Sequence, residues 1–244
     1  MKKLIVVFLM ASNIMCFAQE SATLKYNHKK GDKYIMTLSL SQSMGIAGSS
    51  SLMMNTKVEV SKVTKDGFTL ISKVKKISTE SIQGGKKTKF DTNMKEETLD
   101  TDGKKLKSQL SPIVMSTSYI TFNKQGKILN ERIEPNLNGS NKGMAIYCEF
   151  PKEALKVASS WTNEQEIQGI KLKIIYTVKR ITSNTVETVI AGNVNFMGIT
   201  GNLNGVAIFD KKNGNTDEMK INTSINMQGM EISMSLETTS KKTN

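Results

Sequence analysis

Apolar and polar residues alternate along most of this chain. In KYIMTLSLSQSM, Tyr34, Met36, Leu38 and Leu40 alternate with Lys33, Thr37, Ser39 and Ser41. In IKLKIIYTVKRI, Ile170, Leu172, Ile174, Tyr176 and Val178 alternate with positions that are mostly Lys and Thr. A period of two predicts strands with one buried and one wet face, as in antiparallel sheets. Thr, Ser, Val and Ile suit that setting. Only three prolines occur, so ladders can run long. Turns are marked by GIAG (45–48), KDG (65–67), QGG (83–85), KQG (124–126) and KNG (212–214).

INMQGMEIS predicts a hairpin with Gln228-Gly229 as its turn, glycine suiting the positive φ there. That register sets Met227 opposite Met230, Ile225 opposite Ile232, Thr223 opposite Met234 and Ile221 opposite Leu236. These side chains then share one face. The other face receives Asn226 opposite Glu231 and an ion pair of Lys220 with Glu237.

The one helical pattern is GKKLKSQLSPIVM, with Leu106 and Leu110 four apart, Asp102 as cap and Pro112 ending it early. The fold class is all-β: a strongly curved antiparallel sheet of roughly ten to twelve strands, with one short helix against its concave side. A half-barrel or open barrel, with an element order like that of periplasmic lipoprotein carriers, is the first expectation. A two-sheet sandwich is the alternative.

A phrase recurs. YITFNKQGKIL near residue 120 and AIFDKKNGN near 207 both place an aromatic in a strand, then Asn or Asp, Lys and a glycine turn. The surrounding elements follow in the same order, matching Tyr34 with Trp161, Val63 with Ile181 and Phe122 with Phe209. This predicts a single domain over residues 19–244 with an internal duplication, about 19–133 and 134–244, and the helix inserted in the first copy.

The first residues read differently. Lys2 and Lys3, an apolar run from Leu4 to Met15, and Cys16 and Ala18 before Gln19 form the pattern of a secretory signal peptide over residues 1–18. The run is too short to span a bilayer, and no later segment is apolar enough. The expected address is periplasmic or extracellular, in association with the outer membrane. The mature chain keeps Cys148 alone, so no intrachain disulfide can form.

The net charge is +12, or +10 without Lys2 and Lys3 (12 minus 2). The excess is lysine, with arginine only at 132 and 180, and spread over alternating positions such as Lys171, Lys173 and Lys179. Nucleic-acid sites favour arginine and stacking aromatics, so no nucleic acid is expected. A solvated strand face, able to meet an anionic envelope surface, fits better.

FPKEALKVASSW (150–161), LKYNHKKGDKY, VTKDGFTL and the Met-rich end from IFDKKNGN onward carry a resemblance. The chain resembles an uncharacterised group of exported Bacteroidetes proteins, domain of unknown function 6263. It departs from the group's Gly-Asp-Lys at Ala158, Ser159 and Ser160. The resemblance implies export and an all-β fold, and no activity.

Catalytic constellations are thin. His28, the single histidine, lies in a polar stretch and reads as a solvent-exposed turn residue. Cys148 in AIYCEFP reads as a buried small apolar residue, and one His with one Cys is too few for zinc. LDTDGKK lacks the further oxygen ligands of a calcium loop. Glu96 and Glu97 sit among lysines with no sign of a cleft. No enzyme, metal or cofactor is expected.

Methionine is abundant: twelve of fifteen remain after Met1, Met10 and Met15 are removed with the leader. Met36, Leu38, Tyr176, Met227, Met230, Ile232 and Met234 are the candidate ligand-binding residues, a deformable wall for an apolar small molecule or lipid. Two functions follow: a non-enzymatic exported carrier using a Met-lined concave face, or an envelope structural or interaction module with a filled core. An apolar pocket of ~300 Å³ or more supports the first, and a solid core the second.

Overall fold

The computed structural model describes residues 20–135, 146–167, 169–196, 198–227 and 230–243. The leader segment 1–18, Met197 and the Gln228-Gly229 turn lie outside the described residues.

The first part of the chain gives β1 (Lys33–Ser43), β2 (Ser49–Val63), β3 (Gly67–Gln83), β4 (Lys86–Asp91), α1 (Thr101–Met115), β5 (Thr117–Asn123) and β6 (Ile128–Glu134). The second gives β7 (Ser160–Ile167), β8 (Ile170–Ile181), β9 (Thr185–Phe196), β10 (Ile199–Asp210), β11 (Thr216–Met227) and β12 (Met230–Thr243). All belong to one antiparallel sheet, in the order β6-β5-β3-β2-β1-β12-β11-β10-β9-β8-β7, with β4 on β3. The sheet is not closed, as expected for an open barrel. The sandwich alternative is not formed.

The seam between the halves is β1 on β12, so they join edge to edge. Opposed residues of antiparallel strands share a face. One inner face therefore runs from Leu38 through Thr238 and Met219 to Ala207 and Thr188. It carries two cores. In the first half Tyr34, Val58, Val60, Phe68, Ile120 and Phe122 pack together. In the second, Trp161, Tyr176, Ile190, Leu203 and Phe209 are among the buried residues. Tyr26 touches both, 5.3 Å from the Phe68 ring and 5.1 Å from Phe150.

The halves repeat in backbone detail. β2 bulges against β3 between Val60 and Lys62, and β8 bulges against β9 between Val178 and Arg180. β5 shifts against β6 between Thr121 and Phe122, and β10 against β11 between Ile208 and Phe209. Thr64 Oγ1 accepts from the Asp66 and Gly67 amides, as Thr182 Oγ1 does from Asn184 and Thr185. Asn123 and Asp210 order the two similar turns by accepting backbone N–H groups, a local turn chemistry suited to short polar side chains.

The segments leading into each half cross to the opposite one. Asn27 N donates to the Asn213 carbonyl at 3.0 Å, and Phe150 N to that of Gln125 at 2.7 Å. The following turn glycines, Gly214 and Gly126, lie so close to these arms that a Cβ would meet backbone oxygen at 2.5 and 2.3 Å. That close approach accounts for the glycine in both copies of the repeated phrase.

The helix departs from expectation in two details. Its cap is Asp100, whose Oδ1 accepts from Gly103 N at 2.8 Å, while Asp102 sits in the first turn, 3.6 Å from Lys86. It also runs through Pro112 to Met115. Proline removes one bond near the end, and Ser111 Oγ donates to the Lys107 carbonyl at 2.6 Å there.

The register expected for the last hairpin is observed. Met227 opposes Met230, Ile225 opposes Ile232, Thr223 opposes Met234 and Ile221 opposes Leu236. Lys220 Nζ lies 2.6 Å from Glu237 Oε1.

Candidate functional site

The two halves differ in what their inner faces hold. In the second, Trp161 is 8% exposed at the start of β7 and stacks on Tyr176 at 5.0 Å and 12°. Ile174 and Ile190 complete that floor, and both are buried. Cys148 is buried beside them. Burial pushes its thiol well up, so it is neutral, as a buried structural cysteine is.

In the first half the corresponding positions are smaller. Val58 opposes Tyr34 as Tyr176 opposes Trp161. Counted from the matched bulges, Thr56 stands where the second half has Ile174, and Ser72 where it has Ile190. The missing volume leaves a cavity of about 190 Å³. Met36, Leu38, Met54, Leu70 and Ile120 give it apolar walls, and Ile113 of α1 stands over it, so the helix does meet the concave side.

Hydroxyls of Thr56, Ser72, Ser116 and Ser118 stand among these walls, and an aromatic and polar group gathers about His28. Tyr26, His28, Tyr34 and Asn215 line the cavity there. His28 is 8% exposed, not the solvent-exposed turn residue that its neighbours predict. Its ring meets Phe68 edge-on at 4.6 Å, and Nδ1 lies 3.3 Å from Tyr34 Oη. Aromatic packing and the crossing arm bury it, which a polar local sequence does not reveal. Burial lowers its pKa from 6.5 to about 4, a shift that Asp32 opposes and Lys242 favours. Lys242 Nζ lies 2.6 Å from Asp32 Oδ1, and Asp32 Oδ2 accepts from Lys29 N at 2.8 Å. Burial pushes the Asp32 carboxyl up, but these bonds outweigh it and hold it below its ordinary value.

Of the seven candidate binding residues, Met36 and Leu38 line the cavity. Tyr176 lies in the filled half, fully buried. Met234 lines a separate serine-rich groove at the other end of β1 and β12. Ile232 is half-buried opposite buried Ile225. Met230 is 52% exposed. Met227 opposes it in the ladder, and its side chain lies outside the described residues. The tip of the hairpin thus extends the inner face away from the hollow, which the hairpin lines only near its base through Thr216, Thr238, Thr239 and Ser240. The sequence reading missed Met54, Thr56, Ser72 and Ser118, which do line it. Alternation in TKVEV and GFTLISKV places the side chains of β2 and β3 on faces, but only pairing shows that small ones meet.

Lys171, Lys173 and Lys179 are exposed on the outer face of β8. Among the described residues no group of three or more His, Cys, Asp or Glu is placed to hold a metal. Among them, too, no helix is long and apolar enough to cross a membrane.

No protein-family model matches the chain. No curated protein matches it. Among solved structures it is similar to a domain described as that of an outer membrane lipoprotein-sorting protein from Vibrio parahaemolyticus, at 10% identity over 87% of this chain and 86% of that one, with a TM-score of 0.23. So slight a likeness carries no argument, and the functional reading rests on this chain's own cavity.

Proposed function

We propose that this is an exported, non-enzymatic protein that holds one slender apolar group, such as a single acyl chain, in the hollow of its first half. The observation that carries the reading is the contrast between halves: the same framework is filled by Tyr176, Ile174 and Ile190 on one side and left open by Val58, Thr56 and Ser72 on the other. The volume narrows the ligand. At 190 Å³ the cavity falls short of the ~300 Å³ expected of a carrier's pocket, and the first half is not the solid core expected of an interaction module either. The cavity exceeds the ~150 Å³ of an apolar cavity that binds benzene. A multi-chain lipid does not fit inside, nor does a whole long acyl chain, whereas a short apolar chain does, with its polar end toward Tyr34 and His28.

Export is supported by the order Lys2-Lys3, apolar run, Cys16 and Ala18, and by the resemblance to exported Bacteroidetes proteins. N-terminal sequencing of the mature protein should begin at Gln19. A start at Met1, or a lipid on Cys16, would overturn that part. We also infer that the halves are copies of one unit, a reading supported by the paired bulges, turns and crossing arms.

The second reading, an envelope interaction module, draws on the filled second half and the exposed lysines of β8. Native mass spectrometry of protein purified from its own envelope separates the two. A one-lipid adduct that a fluorescent fatty acid displaces is expected. Adduct-free protein that takes up no fatty acid would sink the carrier reading.

A further inference from the structure

The open sheet ends at β6 and β7, and among the described residues neither has a strand on its outer side. Between these two edges runs a groove of about 930 Å³. Its floor is the segment leading into the second half, and β7 fixes that floor in place. Asn163 Oδ1 accepts from Glu149 N at 3.0 Å, and Asn163 Nδ2 donates to the Glu149 carbonyl at 2.9 Å. Gln165 Nε2 donates to the Tyr147 carbonyl. The groove is therefore built before anything enters it.

The rest of the sheet shows what such a gap accepts. By the matched bulges β6 corresponds to β11, and by the matched aromatics β7 corresponds to β1. Between β11 and β1 lies β12, laddered to both. Between β6 and β7 no described strand lies.

The groove also has a charge opposite to the protein's own. Four carboxylates, Glu131, Glu149, Glu164 and Glu166, and one cation, Lys127, are among its lining residues, with Lys173 and Lys171 of β8 opposite Glu164 and Glu166, in a chain of net charge +12. On β7, Glu164 and Glu166 are exposed and alternate with the inward Asn163 and Gln165. Lys173 reaches Glu164 at 3.2 Å from the neighbouring strand, so a cation is already accepted at this face. On the β6 side Ile128 and Leu129 are 42% and 59% exposed.

We propose that this slot binds an extended, lysine-bearing segment of another polypeptide, which adds to the sheet edge as β12 does on the other side. Main-chain bonds to β6 or β7 supply a ladder, and lysines at alternate positions fall beside Glu164 and Glu166. Apolar residues of the segment cover Ile128 and Leu129. The occupant is a protein strand and not the acyl chain of the cavity, so the two sites are independent.

The test uses the mature full chain and two synthetic peptides of about eight residues, the length of the edge, one alternating Lys with Val and one Glu with Val. The Lys peptide is expected to bind more weakly as salt rises, and to slow amide exchange in β6 and β7 alone. Glu164→Gln with Glu166→Gln should lower its affinity roughly tenfold, because rim charges steer such encounters. Glu97→Gln, outside the residues that line the groove, should leave it unchanged. Equal binding of the Glu peptide, protection confined to other strands, or no binding of either peptide would overturn the proposal. So would slow exchange at both edges without peptide, which would show the slot already filled. Loss of fatty-acid binding leaves these readouts untouched.

Discussion

Gly31 and Ala158 hold the same backbone bond in the two halves of the sheet. Gly31 N donates to the Val60 carbonyl at 2.8 Å, and Ala158 N to the Val178 carbonyl at 2.9 Å. Both lie in the left-handed region, at φ 89° and 70°. The next residue closes the turn in each case: Asp32 Oδ2 accepts from Lys29 N at 2.8 Å, and Ser159 Oγ from Lys156 N at 2.9 Å. The departure from Gly-Asp-Lys at 158–160 thus keeps the turn and changes only its chemistry.

Ala158→Gly should raise stability by ~0.5–1 kcal/mol. A left-handed L-residue costs ~1–2 kcal/mol, and glycine's extra freedom when unfolded takes back part of that gain. Gly31→Ala should lose ~1 kcal/mol by strain alone, since nothing lies within 4 Å of the added Cβ. Urea midpoints measure both, and a destabilised Ala158→Gly would sink the argument.

His28→Leu copies the second half, where Leu155 occupies the matching place before the turn and is buried. Because the folded pKa of His28 lies below its ordinary value, protonation favours the unfolded chain. The stability it contributes is whole above pH 6.5 and is lost as pH falls toward about 4. Over that window the wild type should lose ~3 kcal/mol relative to the variant. A difference that stays flat with pH would contradict the burial of the ring.

Thr56→Ile with Ser72→Ile should close the hollow by giving it the residues of the filled half. Each added apolar side chain contributes ~1 kcal/mol when its methylenes are buried without strain. Fatty-acid uptake should disappear while the circular dichroism stays that of the wild type. Unchanged uptake would place the ligand elsewhere.

Trp161→Ala should cost ~3–5 kcal/mol, because it empties a stacked site between Tyr176 and Phe150. Wild-type tryptophan emission should be blue-shifted from that of indole in water. Emission at the aqueous position would rule out the packing described.

Alternation made much of this fold readable. Wherever a strand has one wet face, a one-residue slip would bury lysines, so the pairing of Ile225 with Ile232 and of Lys220 with Glu237 follows from the sequence pattern. The hollow was not readable in that way. Thr56 and Ser72 are ordinary strand residues, and only their place in a framework filled elsewhere by Ile174 and Ile190 makes them a cavity. Tyr176 illustrates the converse: its alternation marks an inner face, but Trp161 stacks upon it and leaves no room. His28 escaped because what buries it, Phe68 and Tyr34, comes from two other elements.

The β1–β12 seam has a consequence for the order of assembly. Lys33 pairs with Thr243, so the central junction of the sheet waits for β12 to emerge. Until then β1 and β11 are both bare edges, long and partly apolar, of the kind that invites intermolecular pairing. Pairing so distant in sequence also makes the last step slow. A chain interrupted before Met230 would have its two hairpin-rich halves joined only through the crossing arms, and its fate would be set by aggregation and proteolysis sooner than by ligand.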